Sequence, residues 1–189
     1  MVYLHMPVLA GKPSKAREFS RLSEGTLAQL IDGEIVMSPA PKSFHQQIVG
    51  NLYSELWLFL RKNQIGKVYI SPIDVRFSEN ESYQPDIVFI ENRKLDIIHE
   101  WGIDGVPTLV IEVLALSTAY YDLTHKKRVY EESGVKEYLV IDPMELTGEL
   151  FRNDGNSAFV SQGVQRTKGK ILFDTLPGFI VELEEIFKK

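Results

Sequence analysis

The chain has 189 residues with 21 Lys and Arg against 26 Asp and Glu, a net charge of −5, and a pI near 5.4. This balance excludes a protein that coats nucleic acid by bulk positive charge, although a local patch or a divalent cation can still meet phosphates. There is no cysteine, which excludes disulfides and thiolate metal sites. Hydrophobic residues make up 44%, a globular composition, and no apolar run approaches the ~18 residues of a membrane span. The length fits one domain, since domains run to roughly 100–200 residues, and a single domain over residues 1–189 is expected. The opening MVYLHMPVLAGKPSK lacks a basic leader before an apolar core, so no secretory signal is expected. Together with the missing cysteines, this predicts a cytoplasmic protein.

Residues 14–22 predict a short helix. LAQLIDGEIVMSPAP follows as a hairpin, two apolar runs around the turn-forming pair Asp32-Gly33, closed by Pro39 and Pro41. In SFHQQIVGNLYSELWLFLRKNQIG, Ile48, Val49, Leu52, Leu56, Phe59 and Leu60 recur at helical spacing. Ser43 is the expected N-cap, Arg61 and Lys62 suit the last turn, and Gly66 closes the segment. KVYISPIDVRFS and QPDIVFI read as two strands joined by the polar ENESY, and TLVIEVL as a third. DLTHKKRVYEESG is a helix ending at Gly134, and KEYLVIDP is a strand stopped by Asp142-Pro143. Short strands around NDGN and the segment KILFDTLPGFIVELEEIF form a C-terminal β extension. This order predicts a mixed α/β sheet flanked by helices, with a right-handed crossover between the strands on either side of the second long helix.

TLVIEVL poses a chemical problem. Side chains alternate along a strand, so Glu112 shares a face with Val110 and Leu114 while Leu109, Ile111 and Val113 line the other. Both faces are apolar, as in a covered central strand, and an unpartnered ionised carboxylate there is costly. Glu112 therefore needs a cation, a metal ion or a cleft. Asp86, after Pro85, opens a second apolar strand on the face of Val88 and Ile90. Two such carboxylates can converge on one hard divalent cation. On the helical wheel, Leu123, Val129 and Tyr130 fall on one side with Lys126 near the middle of that arc, and Asp122 lies four residues before Lys126, a pairing distance. A structural Glu112–Lys126 pair accounts for two of the three residues but leaves Asp86 unexplained.

Pro85-Asp86, Glu112 in a strand and a following lysine resemble the PD-(D/E)XK, or restriction-endonuclease-like, nuclease superfamily. LIDGEIVMSPAP, SPIDVRF, QPDIVFI, LVIEVL, STAYYDLTHKKRVYEESGVKEYLVIDP and LPGF together resemble a bacterial restriction-endonuclease family abundant in cyanobacteria and long catalogued as a domain of unknown function. The resemblance covers about residues 15–187. It implies a restriction-endonuclease-like fold and a Mg²⁺-dependent endonuclease acting on DNA, with RNA as the open alternative to DNA, Mn²⁺ as a substitute and a homodimer as the assembly. It also implies catalytic roles for Asp86, Glu112 and Lys126. Asp86, Glu112 and the Val113 carbonyl would hold the metal, and Lys126 would orient the attacking water or stabilise the transition state. In the superfamily the lysine stands two residues after the glutamate, where this chain has Leu114. The resembled family takes it from the following helix, where Lys126 stands. The family's Ser-Pro before Ser117-Thr118 is replaced by Ala115-Leu116.

Glu34, after the hairpin turn, and His45, in the first turn of the long helix, stand in matching motifs as peripheral candidates. Glu34 could add a carboxylate to the site. For His45, a hydrogen-bonded histidine near a helix start is the competing reading. Asp74 reads as the partner of Arg76 or another base. The alternative to an enzyme is a nuclease fold retained for nucleic-acid binding or interaction without turnover. A Gly-rich phosphate loop, an H-E-x-x-H helix and a G-x-S-x-G elbow are all absent.

Overall fold

The computed structural model describes residues 15–23, 25–156 and 158–188. The reading of the N-terminal segment as free of a secretory signal falls, except for Lys15, outside these residues.

A short helix, α1 (Lys15–Phe19), precedes the hairpin of β1 (Ala28–Ile31) and β2 (Glu34–Met37). Asp32 and Gly33 sit at its turn with φ of 51° and 74°, the doubly left-handed turn that matches strand twist. Helix α2 (Ser43–Asn63) then runs for 21 residues and buries Ile48, Val49, Leu52, Leu56 and Leu60 along one stripe. Ser43 is its first helical residue rather than its cap. Lys42 takes the cap position without a side-chain hydrogen bond, because an ammonium has no acceptor to offer the free N–H groups. Gln64, not Gly66, ends the helix in the left-handed conformation. Gly66 instead opens β3 (Gly66–Ile70), where a Cβ would come 2.2 Å from the Ile90 carbonyl oxygen.

The stretch expected to be one strand, KVYISPIDVRFS, divides between two sheets, as β3 and β4 (Val75–Ser78). The polar ENESY is not merely a connection, since it supplies β5 (Glu81–Tyr83), whose Tyr83 is fully buried. After β6 (Ile87–Glu91) come a 3₁₀ turn (Asn92–Ile97) and two short strands, β7 (Ile98–His99) and β8 (Gly102–Asp104). Pieces of two or three residues are too short to carry a readable period. Then follow β9 (Leu109–Val113), α3 (Ala119–Tyr121), a π turn (Asp122–Lys126), α4 (Lys127–Ser133) and β10 (Glu137–Asp142). The chain ends with β11 (Thr147–Asn153), β12 (Phe159–Arg166), β13 (Lys170–Leu172), β14 (Ile180–Glu182) and α5 (Leu183–Ile186).

The principal sheet has the order β12-β11-β10-β9-β6-β3, and a second has the order β2-β1-β5-β4-β8-β7. β9 pairs with β6 antiparallel and with β10 parallel, so the helical segment between β9 and β10 is a crossover. On one face of the principal sheet, Ile87, Phe89, Leu109, Ile111 and Leu139 pack with the α2 stripe and with C-terminal residues such as Phe179 and Leu183. On the other, Val88, Ile90, Val110 and Tyr138 pack with Val129 and Tyr130 of α4 and with Val75, Tyr83 and Ile103 of the second sheet. All five residues of β9 are buried, as expected for a strand covered on both sides. Among the described residues, no helix is long and apolar enough to cross a membrane.

Candidate active site

Ile87 pairs with Ile111 across β6 and β9, which sets Asp86, just before β6, level with Glu112. The Asp86 N–H donates to Glu112 Oε2 at 3.3 Å, and the Val113 N–H donates to Asp86 Oδ2 at 2.8 Å. Each strand thus holds the other's carboxylate with a backbone amide. From the opposite layer, His45 in the first turn of α2 brings Nε2 to 3.3 Å from Asp86 Oδ2. The Asp86 side chain retains 16% exposure while that of Glu112 keeps 4%, so access to the pair is from the Asp86 side.

Glu112 Oε1 takes two donors, Lys126 Nζ at 3.1 Å and the Tyr130 hydroxyl at 2.8 Å. Lys126 Nζ also lies 2.8 Å from Asp122 Oδ1, and its ammonium sits 5.8 Å from the centre of the Tyr83 ring. The Tyr138 hydroxyl on β10 donates to the Asp122 carbonyl at 3.0 Å. The π turn explains which residues face in. A five-residue step in place of four rotates the helix surface, so Asp122 is buried beside Lys126, which a regular helix also turns inward, while Leu123, which a regular helix would turn inward, is 46% exposed.

Two carboxylates, Glu112 and Asp122, flank the Lys126 ammonium, and a third, Asp86, adjoins Glu112. Burial pushes Glu112 up to about 8, with Lys126 pulling against it and the neighbouring Asp122 and Asp86 charges adding to the rise. Burial alone would discharge Lys126, but Glu112 and Asp122 outweigh it and raise its pKa, so it stays charged. His45 follows the same logic. Its burial acts downward, and the hydrogen bond and charge of Asp86 carry it above its ordinary value. His45 Nδ1 is buried without a hydrogen-bond partner.

The donor set suits a particular class of cation. Two carboxylates stand side by side at the end of β6 and β9 with the Val113 backbone between them, and surplus negative charge surrounds them. Among the described residues there is no cluster of three or more His, Asp, Glu or Cys able to enclose a metal. An oxygen-only set with one or two protein carboxylates fits Mg²⁺, which keeps most of its waters, and does not fit a closed zinc cage.

Asp86, Glu112 and Lys126 are therefore brought together, and His45 joins them through Asp86. Glu34 is not part of this group. It is exposed on β2, the edge strand of the second sheet, which pairs with β1 and with neither β6 nor β9. Asp74 does not pair with Arg76. Its Oδ1 accepts from Gln84 Nε2 at 2.9 Å, and Arg76 pairs with Asp104 on the adjoining parallel strand. Tyr130 and Tyr138 are the contacts that sequence reading missed. Tyr130 is four residues after Lys126, a spacing at which one could have looked for a second donor.

Residues 16–184 match the family described as "Uma2: Putative restriction endonuclease". The chain belongs to the Uma2 family. Its fold is similar to that of a crystal structure described as "a putative nuclease belonging to DUF820" from Anabaena variabilis ATCC 29413. The TM-score is 0.75 at 16% identity, over 93% of this chain and 97% of that one. At that identity the likeness concerns the fold, which is restriction-endonuclease-like. No curated protein matches. The Uma2 match spans Glu34, His45, Asp86, Glu112 and Lys126 alike.

Proposed function

We propose that this chain is a Mg²⁺-dependent endonuclease that hydrolyses phosphodiester bonds of DNA, with Mn²⁺ able to replace Mg²⁺. The observation that carries this reading is the reciprocal clasp of Asp86 and Glu112, two carboxylates that the backbone amides of residues 86 and 113 hold side by side at one end of the principal sheet. Asp86, Glu112 and the Val113 carbonyl would hold the cation. When bound, it supplies an acidified water and neutralises charge on the phosphate.

The chain's own groups prepare that place. Lys126 and Tyr130 occupy Glu112 Oε1, which leaves Oε2 on the Asp86 side. The Val113 N–H and His45 hold Asp86 by Oδ2. The Lys126 charge, fixed beside Glu112, would stabilise negative charge growing on a phosphate oxygen. The test is a cleavage assay of the purified chain on plasmid, linear and branched DNA and on RNA, with Mg²⁺, Mn²⁺ or a chelator. Cleavage by the wild type in Mg²⁺, absent with chelator and absent in a folded Asp86→Ala variant, is expected. Cleavage that persists in that variant, or with chelator, overturns the reading.

One observation favours a second reading. The Lys126 ammonium is buried and already shared by Glu112 and Asp122, the arrangement of a structural ion pair. A protein that uses this fold to bind nucleic acid without turnover would bind the same substrates in either metal and cut none.

A further inference from the structure

A cleft of about 580 Å³ runs between α2 and β3, the outermost strand of the principal sheet. Tyr53, Trp57 and Arg61 line it from the helix, and Lys67 and Tyr69 from the strand. Trp57 is 41% exposed, and the Arg61 guanidinium lies over its ring at 4.6 Å. None of the described residues lining the cleft is acidic. Neither Arg61 nor Lys67 has an ion-pair partner among the described residues, in a chain whose net charge is −5. Two cations free of ion pairs and the rings of Tyr53 and Trp57 beside them match the chemistry of a single nucleic-acid strand, phosphates on the cations and bases on the rings.

The groove also leads to the candidate active site. β3 pairs with β6 from Gly66 opposite Glu91 to Ile70 opposite Ile87. Just beyond it, the Ser71 N–H donates to the Asp86 carbonyl at 3.0 Å. From Lys67 to Ser71 is ~13 Å at the rise of a strand, about four stacked bases. Resting on the nuclease reading for what happens at Asp86, we infer that this cleft binds a single-stranded segment of the substrate and delivers it to that end of the sheet. A substrate with an unpaired arm or end then fits better than a continuous duplex. A peptide adding a strand to β3 would use the same edge, but it would leave the two cations unmatched.

The test is fluorescence anisotropy on the full chain with chelator present, so that binding is read without turnover. The probes are a labelled single-stranded oligonucleotide of ~12 nucleotides and a blunt duplex. The variants are Trp57→Ala and the double variant Arg61→Gln/Lys67→Gln. The wild type should prefer the single strand, and Trp57→Ala should weaken it about tenfold. The charge variant should weaken it too and make the salt dependence shallower by ~1.4 in log–log slope, two single-strand phosphate contacts. All three side chains lie on the surface of the cleft, and unchanged melting confirms folding. Should Trp57→Ala fail to fold, the charge variant decides alone. Variants that bind as tightly as wild type, or a wild type that prefers duplex, overturn the inference. Loss of binding in the variants while the wild type cuts nothing supports the cleft and removes only the nuclease reading.

Discussion

Lys126 Nζ lies 3.1 Å from Glu112 Oε1, and neither side chain is more than 4% exposed. Above about pH 8, where Glu112 is ionised, removing one partner strands the other's charge in the interior. Glu112→Ala should cost about 3–5 kcal/mol, and Lys126→Ala a similar amount, because it leaves Glu112 and Asp122 facing each other without a cation. Urea unfolding of both variants checks this. A midpoint unchanged in either one would show that the pair is solvated. Loss of cleavage in these variants therefore has to be read beside their stability, which makes the partly exposed Asp86 the cleaner probe of chemistry.

Cation binding can be read without any substrate. Mg²⁺ that binds only the folded chain should raise its melting temperature, with a stabilisation of about 2.7 kcal/mol at a hundredfold excess over Kd. In Asp86→Ala that rise should vanish. A thermal shift that survives Asp86→Ala would place the cation elsewhere.

The pH dependence of the metal-free protein has a definite sign. Glu112 is raised from 4.5 to about 8 by burial against the pull of Lys126, so the folded chain holds that proton more tightly than the unfolded one. The resulting stabilisation is full below the ordinary carboxylate range and is lost as pH rises through about 8. His45, raised from 6.5 chiefly by Asp86 against its own burial, adds a loss of the same sign above its ordinary value. Melting temperatures measured with chelator should fall across neutral pH, and Glu112→Gln should flatten the slope. A curve that rises through this window would contradict the assignment.

Glu137 is a buried carboxylate with a different task. It is 1% exposed and accepts from Arg152 Nε at 3.1 Å, from the backbone N–H groups of Asp174 and Thr175 at 3.0 Å each, and from the Thr175 hydroxyl. Its donors tie the C-terminal segment to β10. Glu137→Ala should cost about 3 kcal/mol, the scale of charge-assisted hydrogen bonds. Cleavage per folded molecule should stay at the wild-type level. Reduced specific activity at full folding would give Glu137 a part in the site.

Much of this was legible locally. Alternation in TLVIEVL put Glu112 inside a covered strand, and the period of α2 marked its buried stripe, because both patterns repeat within a few residues. Asp86 was legible as a carboxylate at the start of an apolar strand, and Lys126 as an inward lysine. Other features needed partners distant in sequence. The division of KVYISPIDVRFS between two sheets, the exposure of Glu34 and the pairing of Asp74 with Gln84 depend on which strands adjoin, and no local period encodes that.

The sequence by itself determined that a carboxylate would lie in the interior of a central strand and that a lysine on the next helix would face it, since side-chain direction follows from backbone geometry alone. Only the tertiary structure decided how that charge is held. It set the register that joins Asp86 to Val113, brought His45 from the layer on the other face, and turned Asp122 inward through the π turn. Those contacts cross elements, and their energies come from burial and charge proximity that exist only once the layers have packed.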